Sequence, residues 1–331
     1  MVLTTPIVRC TKFGDMVLTT PIVRCTKLQL QGYEVHYLTK IQFKPVLEKN
    51  PYINKVFVIQ HKIDEVIDKL RAEKYEHIID LHKNFRSLTI RKKLGARATS
   101  FPKLNLRKWL FVNFKINKMP AVHIVDRYFK AVAPLGVNND LKGLDYFIPA
   151  EDEVEMTLLP DVFRVGYVGF VVGGKHKTKQ LPVEKSVEIL SGINYPVVIL
   201  GGPEDHAQAE EIIGKVNGPV FNACGKFNLN QSASLVKQAR AIITGDTGLM
   251  HIAAAFNKKI ISIWGNTVPE FGMFPYLPGN DQLSKIFEVK GLSCRPCSKI
   301  GFNKCPKGHF NCMNLIDGSL VAGAVAGFLK N

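Results

Sequence analysis

The stretch ARAIITGDTGLMHIAAAF, residues 239–256, decides how this chain is read. The short run AIIT is apolar and β-rich, and Gly-Asp-Thr-Gly then turns straight into an alanine-rich segment. A buried strand therefore feeds a helix almost without a loop. Such a turn aims the helix's free N–H groups and positive end beyond the strand, which suits a diphosphate. Asp246 lies too close to such a phosphate to bind it and fits a sugar hydroxyl better. The same letters also serve as an Asp/Thr helix cap with a turn glycine, and residues 245–248 alone do not separate the two readings.

The same rhythm extends in both directions. YEVHYLT (33–39), KVFVIQ (55–60) and HIIDLH (77–82) read as strands, and IDEVIDKLRAEK between the last two has helical apolar spacing. That is a βαβ signature. After the polar, Pro-bounded stretch DYFIPAEDEVEMTLLPD, the rhythm restarts with FRVGYVGFVV, PVVILGG, GPVFNACG, ARAIITGD and KKIISIWG. The chain is therefore expected to form two doubly wound α/β domains, residues 1–160 and 161–331, with a cleft between them. The terminal GSLVAGAVAGFLKN is expected to be a packed helix, since it is too short to span a bilayer.

In open α/β sheets ligands sit beyond the carboxyl ends of the strands, so the βα turns carry the functional argument. GGKHKTKQLP (173–182) crowds Lys175, His176, Lys177 and Lys179 into one such turn. Lys179 is placed to neutralise a leaving phosphate, unless the turn is only a solvated basic loop. GGPEDHAQAEE (201–211) offers Glu204 or Asp205 to a ribose or sugar hydroxyl, with helix capping as the alternative.

Charge points to an anionic partner. The 331 residues carry 44 Lys+Arg against 28 Asp+Glu, a net +16. Between Lys83 and Val125 there are eleven Lys/Arg and no Asp or Glu, interleaved with Phe85, Phe101, Trp109, Phe111 and Phe114. A solvated face would mix signs, so this one-sided field suits anionic lipid headgroups. RNA or single-stranded DNA is the alternative, although no nucleic-acid motif is present. No apolar run approaches a membrane span and no signal-peptide pattern opens the chain, so a cytoplasmic protein with mostly reduced thiols is expected.

CRPCSKIGFNKCPKGHFNC places Cys294, Cys297, Cys305 and Cys312 around His309. One CxxC and two further cysteines can hold zinc, but the second pair is separated by six residues. A reduced thiol cluster is the preferred reading, and no metal or cofactor is expected.

Taken together, GDTGLMHIAAAF, WGNTVPEFG, the KTKQLP turn, GGPED and the CRPC…CPKGHFNCM tail resemble glycosyltransferase family 9, the lipopolysaccharide heptosyltransferases. The resemblance covers nearly the whole chain. It implies a GT-B fold with two Rossmann-like domains facing a central cleft, and metal-independent inverting transfer of heptose from an ADP-heptose-type donor. The implied acceptor is the anionic, lipid A-linked inner core of lipopolysaccharide, met at the cytoplasmic side of the inner membrane. By position, Asp246, Thr247, Gly248, Leu249 and His251 would line the donor, Lys179 would meet its phosphates, and Glu204 would fall near its nucleoside. Arg91, Lys92 and Lys93 are the candidate acceptor-side cations. Gly174 and Lys175 depart from the hydroxyl residues that some relatives carry ahead of the phosphate lysine. Two other readings stay open: transfer of a different nucleotide-activated sugar to a lipid-linked glycan, and nucleic-acid binding with a zinc-bound cysteine cluster.

The chain begins with MVLTTPIVRCTK twice, at residues 1–12 and 16–27, separated by Phe-Gly-Asp. In the family a short strand, a polar loop and Gly-Asp precede a helix. Copy two is therefore expected to be helix, with Pro21 in its first turn. Copy one is expected to supply the strand at Ile7 and Val8 and a loop from Arg9 to Phe13. A duplication in cloning or sequence assembly is the favoured origin of so exact a copy. Asp15, at the end of that strand, is the candidate base for an acceptor hydroxyl, with capping of a helix from Met16 as the alternative.

Overall fold

The computed structural model describes residues 13–330 and the backbone of Leu3–Val8. In chain order its elements are β1 (Leu3–Val8), α1 (Phe13–Val17), α2 (Thr20–Gln29), β2 (Tyr33–Lys40), β3 (Lys55–Ile59), α3 (Asp64–Ala72), β4 (His77–Asp80), α4 (Phe85–Leu94), β5 (Arg97–Ser100), α5 (Asn105–Phe114) and α6 (Ile124–Val132). Then follow α7 (Asp161–Arg164), β6 (Val168–Val171), α8 (Val183–Ser191), β7 (Val197–Leu200), α9 (His206–Ile213), β8 (Val220–Asn222), α10 (Leu229–Gln238), β9 (Ala241–Thr244), α11 (Gly248–Ala255), β10 (Lys259–Trp264), β11 (Ser284–Glu288), α12 (Asn311–Asn314) and α13 (Gly318–Lys330). Two units result, one of residues 1–103 and 122–147, the other of 104–121 and 148–331.

The first unit is a five-stranded parallel sheet in the order β3-β2-β1-β4-β5. α3 shows why the sequence folds this way. Val66, Ile67 and Leu70 form one buried stripe packed with Leu38, Ile59 and Ile78, while Asp64 and Glu65 open the helix and Lys69 and Arg71 close it, matching its dipole. Arg24 on α2 is buried and ties the segment beyond α6 to that helix, donating to Asp140 at 2.8 and 2.9 Å, to the Gly143 carbonyl at 2.9 Å and to Asp145.

The opening repeat behaves as two structures. LTTPIV at 3–8 is strand, paired in parallel register from Leu3 with Tyr33 to Val8 with Leu38. The same letters at 18–23 cross a turn and enter α2, with Pro21 in the first turn where its missing N–H has no partner to lose. Weak local propensity yields to the strands available on either side. The strand is longer than Ile7 and Val8, and the first helix starts at Phe13, so Asp15 lies inside the first turn of α1. Residues 9–12 of the expected loop lie outside the described residues.

In the second unit the parallel order is β11-β10-β9-β6-β7-β8. Counted from β6 as the first strand this is 3-2-1-4-5-6, with the reversal of order between β6 and β9. The central strands β6, β7, β9 and β10 are apolar and buried, and α13 packs on α8, β9 and β10, with Val321 and Val325 in the core.

The division between the units differs from a boundary near 160. Residues 150–158 pack on α10, where the Val154 amide donates to Ser234 at 2.9 Å, Asp152 accepts from Asn228 and Asn230, and Glu153 pairs with Lys237. α5 belongs to the second unit through Phe111, which packs with Val268 and Phe271. The first residues of FRVGYVGFVV form part of α7, and the strand starts at Val168. The edge strands β5 (RATS) and β11 (SKIFE) carry no apolar run and left no sequence signal.

Candidate functional site

At the switch point the turns after β6 and β9 meet. Gly245 makes this possible: a Cβ there would lie 2.6 Å from the Lys179 carbonyl oxygen, so only glycine lets the two backbones approach so closely. The turn bearing Lys179 is fixed from its other side as well. The Thr178 amide and hydroxyl both donate to the Phe302 carbonyl at 3.1 Å, and the hydroxyl accepts from the Phe302 amide at 2.8 Å.

These supports bring Lys179 and Asp246 into a direct ion pair, with side chains 13% and 11% exposed. Thr267 adds a hydrogen bond to the same Asp246 oxygen at 3.1 Å. Burial pushes the Asp246 carboxyl up, but the Lys179 ammonium, then His251 and Thr267, hold it below the ordinary range, so it is an anion at neutral pH. Asp246 thus anchors the lysine, a role the sequence did not suggest.

Thr247 is the N-cap of α11. Its hydroxyl accepts from the Met250 amide at 3.4 Å and lies 2.9 Å from the Thr244 hydroxyl. The capping reading of this turn therefore holds for Thr247 and not for Asp246. Gly248 and Leu249 are half-buried at the helix start, and His251 is buried one turn on. A lysine, a helix N-terminus and a carboxylate stand together where a diphosphate ester would be held by charge-assisted hydrogen bonds and its sugar by the acid.

Glu204 and Asp205 divide their roles. Asp205 is buried, accepts from the Gly202 amide at 2.9 Å and from Gln180 at 3.3 Å, and is raised in pKa chiefly by burial. It is structural, locking the β7 turn to the β6 turn. Glu204 is exposed in the same turn and remains available to a ligand.

Thr267 and Asn266, after β10, were not singled out as site residues. Both are buried, and the Asn266 amide nitrogen and oxygen have no protein partner. The only signal was WGNTVPEFG, a strand ending in Gly-Asn-Thr.

In the first unit Asp15 is half-buried within α1. Arg91, Lys92 and Lys93 lie in the last turn of α4. The fold supplies the carboxylates that the sequence stretch lacks: Arg91 lies 3.7 Å from Asp80, and Lys93 pairs with Asp64, while Lys92 is exposed.

The four tail cysteines carry free thiols. Burial, then neighbouring Cys294, lifts Cys297 to about 11, and burial, then Cys297, lifts Cys312 to about 12, so both are neutral at pH 7. Among the described residues, the metal-ligand atoms gathered closely in a group of three belong to Glu34, His36 and Glu73. That group is already satisfied: His36 meets Glu34 at 3.0 Å and the Tyr75 hydroxyl at 3.1 Å, and Lys55 donates to Glu73 at 2.9 and 3.0 Å.

The doubly wound units and the switch-point site define a Rossmann-like α/β protein with a site suited to a diphosphate ester. The structure of a glycosyl transferase family 9 protein from Veillonella parvula is 22% identical with a TM-score of 0.79, covering 99% of this chain and 98% of that one. That of Escherichia coli ADP-heptose lipopolysaccharide heptosyltransferase II is 19% identical with a TM-score of 0.71, covering 99% of each chain. At these identities the likeness is one of fold. The family model described as glycosyltransferase family 9 (heptosyltransferase) matches residues 63–301, and the chain belongs to that family. Among curated relatives, lipopolysaccharide heptosyltransferase 3 of Escherichia coli is 26% identical over 244 residues, 67% of this chain and 72% of that one. Alignments with three heptosyltransferases 2 span only 23% to 34% of their length.

Proposed function

We propose that this protein transfers heptose from ADP-heptose to the lipid A-linked inner core of lipopolysaccharide, with inversion, as a peripheral protein on the cytoplasmic face of the inner membrane. The observation that carries the reading is the meeting of Lys179, Asp246 and the α11 N-terminus at the β6/β9 switch point. It is supported by the family, by the names of the relatives and by the ADP-heptose for which the similarly folded Escherichia coli enzyme is named.

In this reaction the acceptor hydroxyl oxygen bonds to the anomeric carbon as the bond to the β-phosphate oxygen breaks. Asp15 takes the hydroxyl proton, and ADP leaves with its new charge stabilised by Lys179 and the N–H groups of α11. Asp246, Thr247, Gly248, Leu249 and His251 line the donor, and Glu204 accepts from its nucleoside. Arg91, Lys92 and Lys93 meet the acceptor phosphates, the first and last by exchanging their carboxylate partners.

The test is release of ADP from ADP-heptose in the presence of heptose-free lipopolysaccharide core, with UDP- and GDP-sugars as controls. ADP should stabilise the protein more than UDP or GDP, because a ligand that binds only the folded state raises its stability by mass action. Equal thermal shifts with the three nucleotides would overturn the donor assignment. Transfer from another nucleotide sugar alone would replace it.

A further inference from the structure

Among the described residues no helix is long and apolar enough to cross a membrane, and the acceptor proposed above is lipid-linked. α5 offers a different attachment. Its inner side is fixed to the second unit: Phe111 packs on Phe271, and Lys108 lies over the same ring at 5.7 Å. At 3.6 residues per turn, Leu106, Trp109, Leu110 and Asn113 fall on the opposite side, and Phe114 lies at its edge with its ring centroid 5.2 Å from that of Trp109. Leu106 is 69%, Trp109 48% and Phe114 58% exposed, and Ile116 just beyond is 45% exposed. Four large apolar side chains on one short segment are not the scattered exposure of an ordinary surface.

A second segment adjoins it. The Lys115 ammonium donates to the Pro296 carbonyl at 2.9 Å, tying the end of α5 to the loop 297–309. That loop exposes Ile300 and Phe302 together with Lys299, Lys304 and Lys307. No Asp or Glu occurs from Lys290 to Ile316, as none occurs from Lys83 to Val125. Arg107 and Lys118 complete the cationic border of the helix.

We propose that α5 and the loop 297–309 form a docking face for an anionic lipid bilayer, with Leu106, Trp109, Phe114 and Ile300 entering the headgroup layer and the lysines meeting lipid phosphates. The inference rests on the lipid-linked acceptor of the proposed function. An interfacial helix combines apolar side chains that enter the acyl boundary with cations that meet the phosphates, and this surface has both. Single-stranded RNA fits less well, because Leu106, Ile116 and Ile300 have no flat face on which a base can stack.

The test uses the full-length protein and sedimentation with phosphatidylcholine vesicles, with and without phosphatidylglycerol. Wild type should pellet with the anionic vesicles alone and lose binding as salt rises. Its tryptophan emission should shift to the blue, a change that reports Trp109 because Trp264 is already buried. The double variant Leu106→Gln/Trp109→Gln and the triple variant Lys299→Glu/Lys304→Glu/Lys307→Glu should each lose roughly tenfold in vesicle affinity. Both should keep wild-type circular dichroism, ADP affinity and transfer to a detergent-dispersed acceptor. Vesicle binding unchanged in both variants, or wild type that binds RNA or itself but not vesicles, would overturn the inference. Vesicle binding lost as expected in a protein that transfers no sugar would leave the docking face standing and remove the transferase reading instead.

Discussion

Lys179→Ala separates the anchoring that the structure gives this lysine from the phosphate contact proposed for it. In the unliganded protein Lys179 neutralises Asp246, and both side chains are nearly dry at 13% and 11% exposure. Removing one partner of a buried pair typically costs 3–5 kcal/mol, because a charge is left uncompensated. Here Thr267 still donates to Asp246 at 3.1 Å and some solvent reaches the site, so about 2–4 kcal/mol is expected. For a unit of this size that lowers the melting temperature by roughly 5–15 °C. ADP affinity should fall further, since a charge-assisted hydrogen bond of about 1.5–3 kcal/mol is lost, or roughly 10- to 150-fold. The double variant Lys179→Ala/Asp246→Asn should recover much of the stability, because the unpaired charge is gone, while ADP affinity stays low. Urea denaturation and isothermal titration with ADP measure the two quantities independently. A Lys179→Ala protein with unchanged stability and ADP affinity within about twofold of wild type would refute both the anchoring and the phosphate roles.

Two further outcomes follow from the same structure. If Asp15 is the base, Asp15→Asn should lower kcat by roughly 10²–10⁴-fold with ADP affinity and melting temperature nearly unchanged, and near wild-type turnover would end that assignment. The Arg24 hydrogen bond holds Asp140 down to about 2, below its ordinary 3.8. A depressed carboxylate stabilises the fold above its unfolded pKa and loses that contribution as pH falls through the folded one, so stability should drop between about pH 4 and pH 2. Arg24→Met should flatten that part of the stability profile, and an unchanged acid limb would count against the pair.

What could be read in the sequence was whatever a short segment carries within itself. Apolar runs gave β2, β3, β4 and β6 to β10, and the family resemblance gave β1; the polar edges β5 and β11 are held by pairing to a neighbour rather than by their own residues. GDTG followed by an alanine run gave the α11 start, because a cap, a turn and a helix need only adjacent residues. Position in the pattern gave Lys179 as a candidate phosphate ligand.

Tertiary structure decided everything that depends on partners distant in sequence. Lys179 and Asp246 are 67 residues apart and meet only because strand order reverses between β6 and β9, with Gly245 allowing the backbones to touch. Asp205 and Glu204 are neighbours, yet one is buried as a structural acceptor and the other is exposed, a difference set by the turn packed against them. The acid-free stretch received carboxylates from Asp64 and Asp80 once α4 packed beside α3 and β4. LTTPIV is strand once and helix once within the same chain. Local propensity differs between those states by only about 1 kcal/mol per residue, and pairing and burial with neighbours outweigh it.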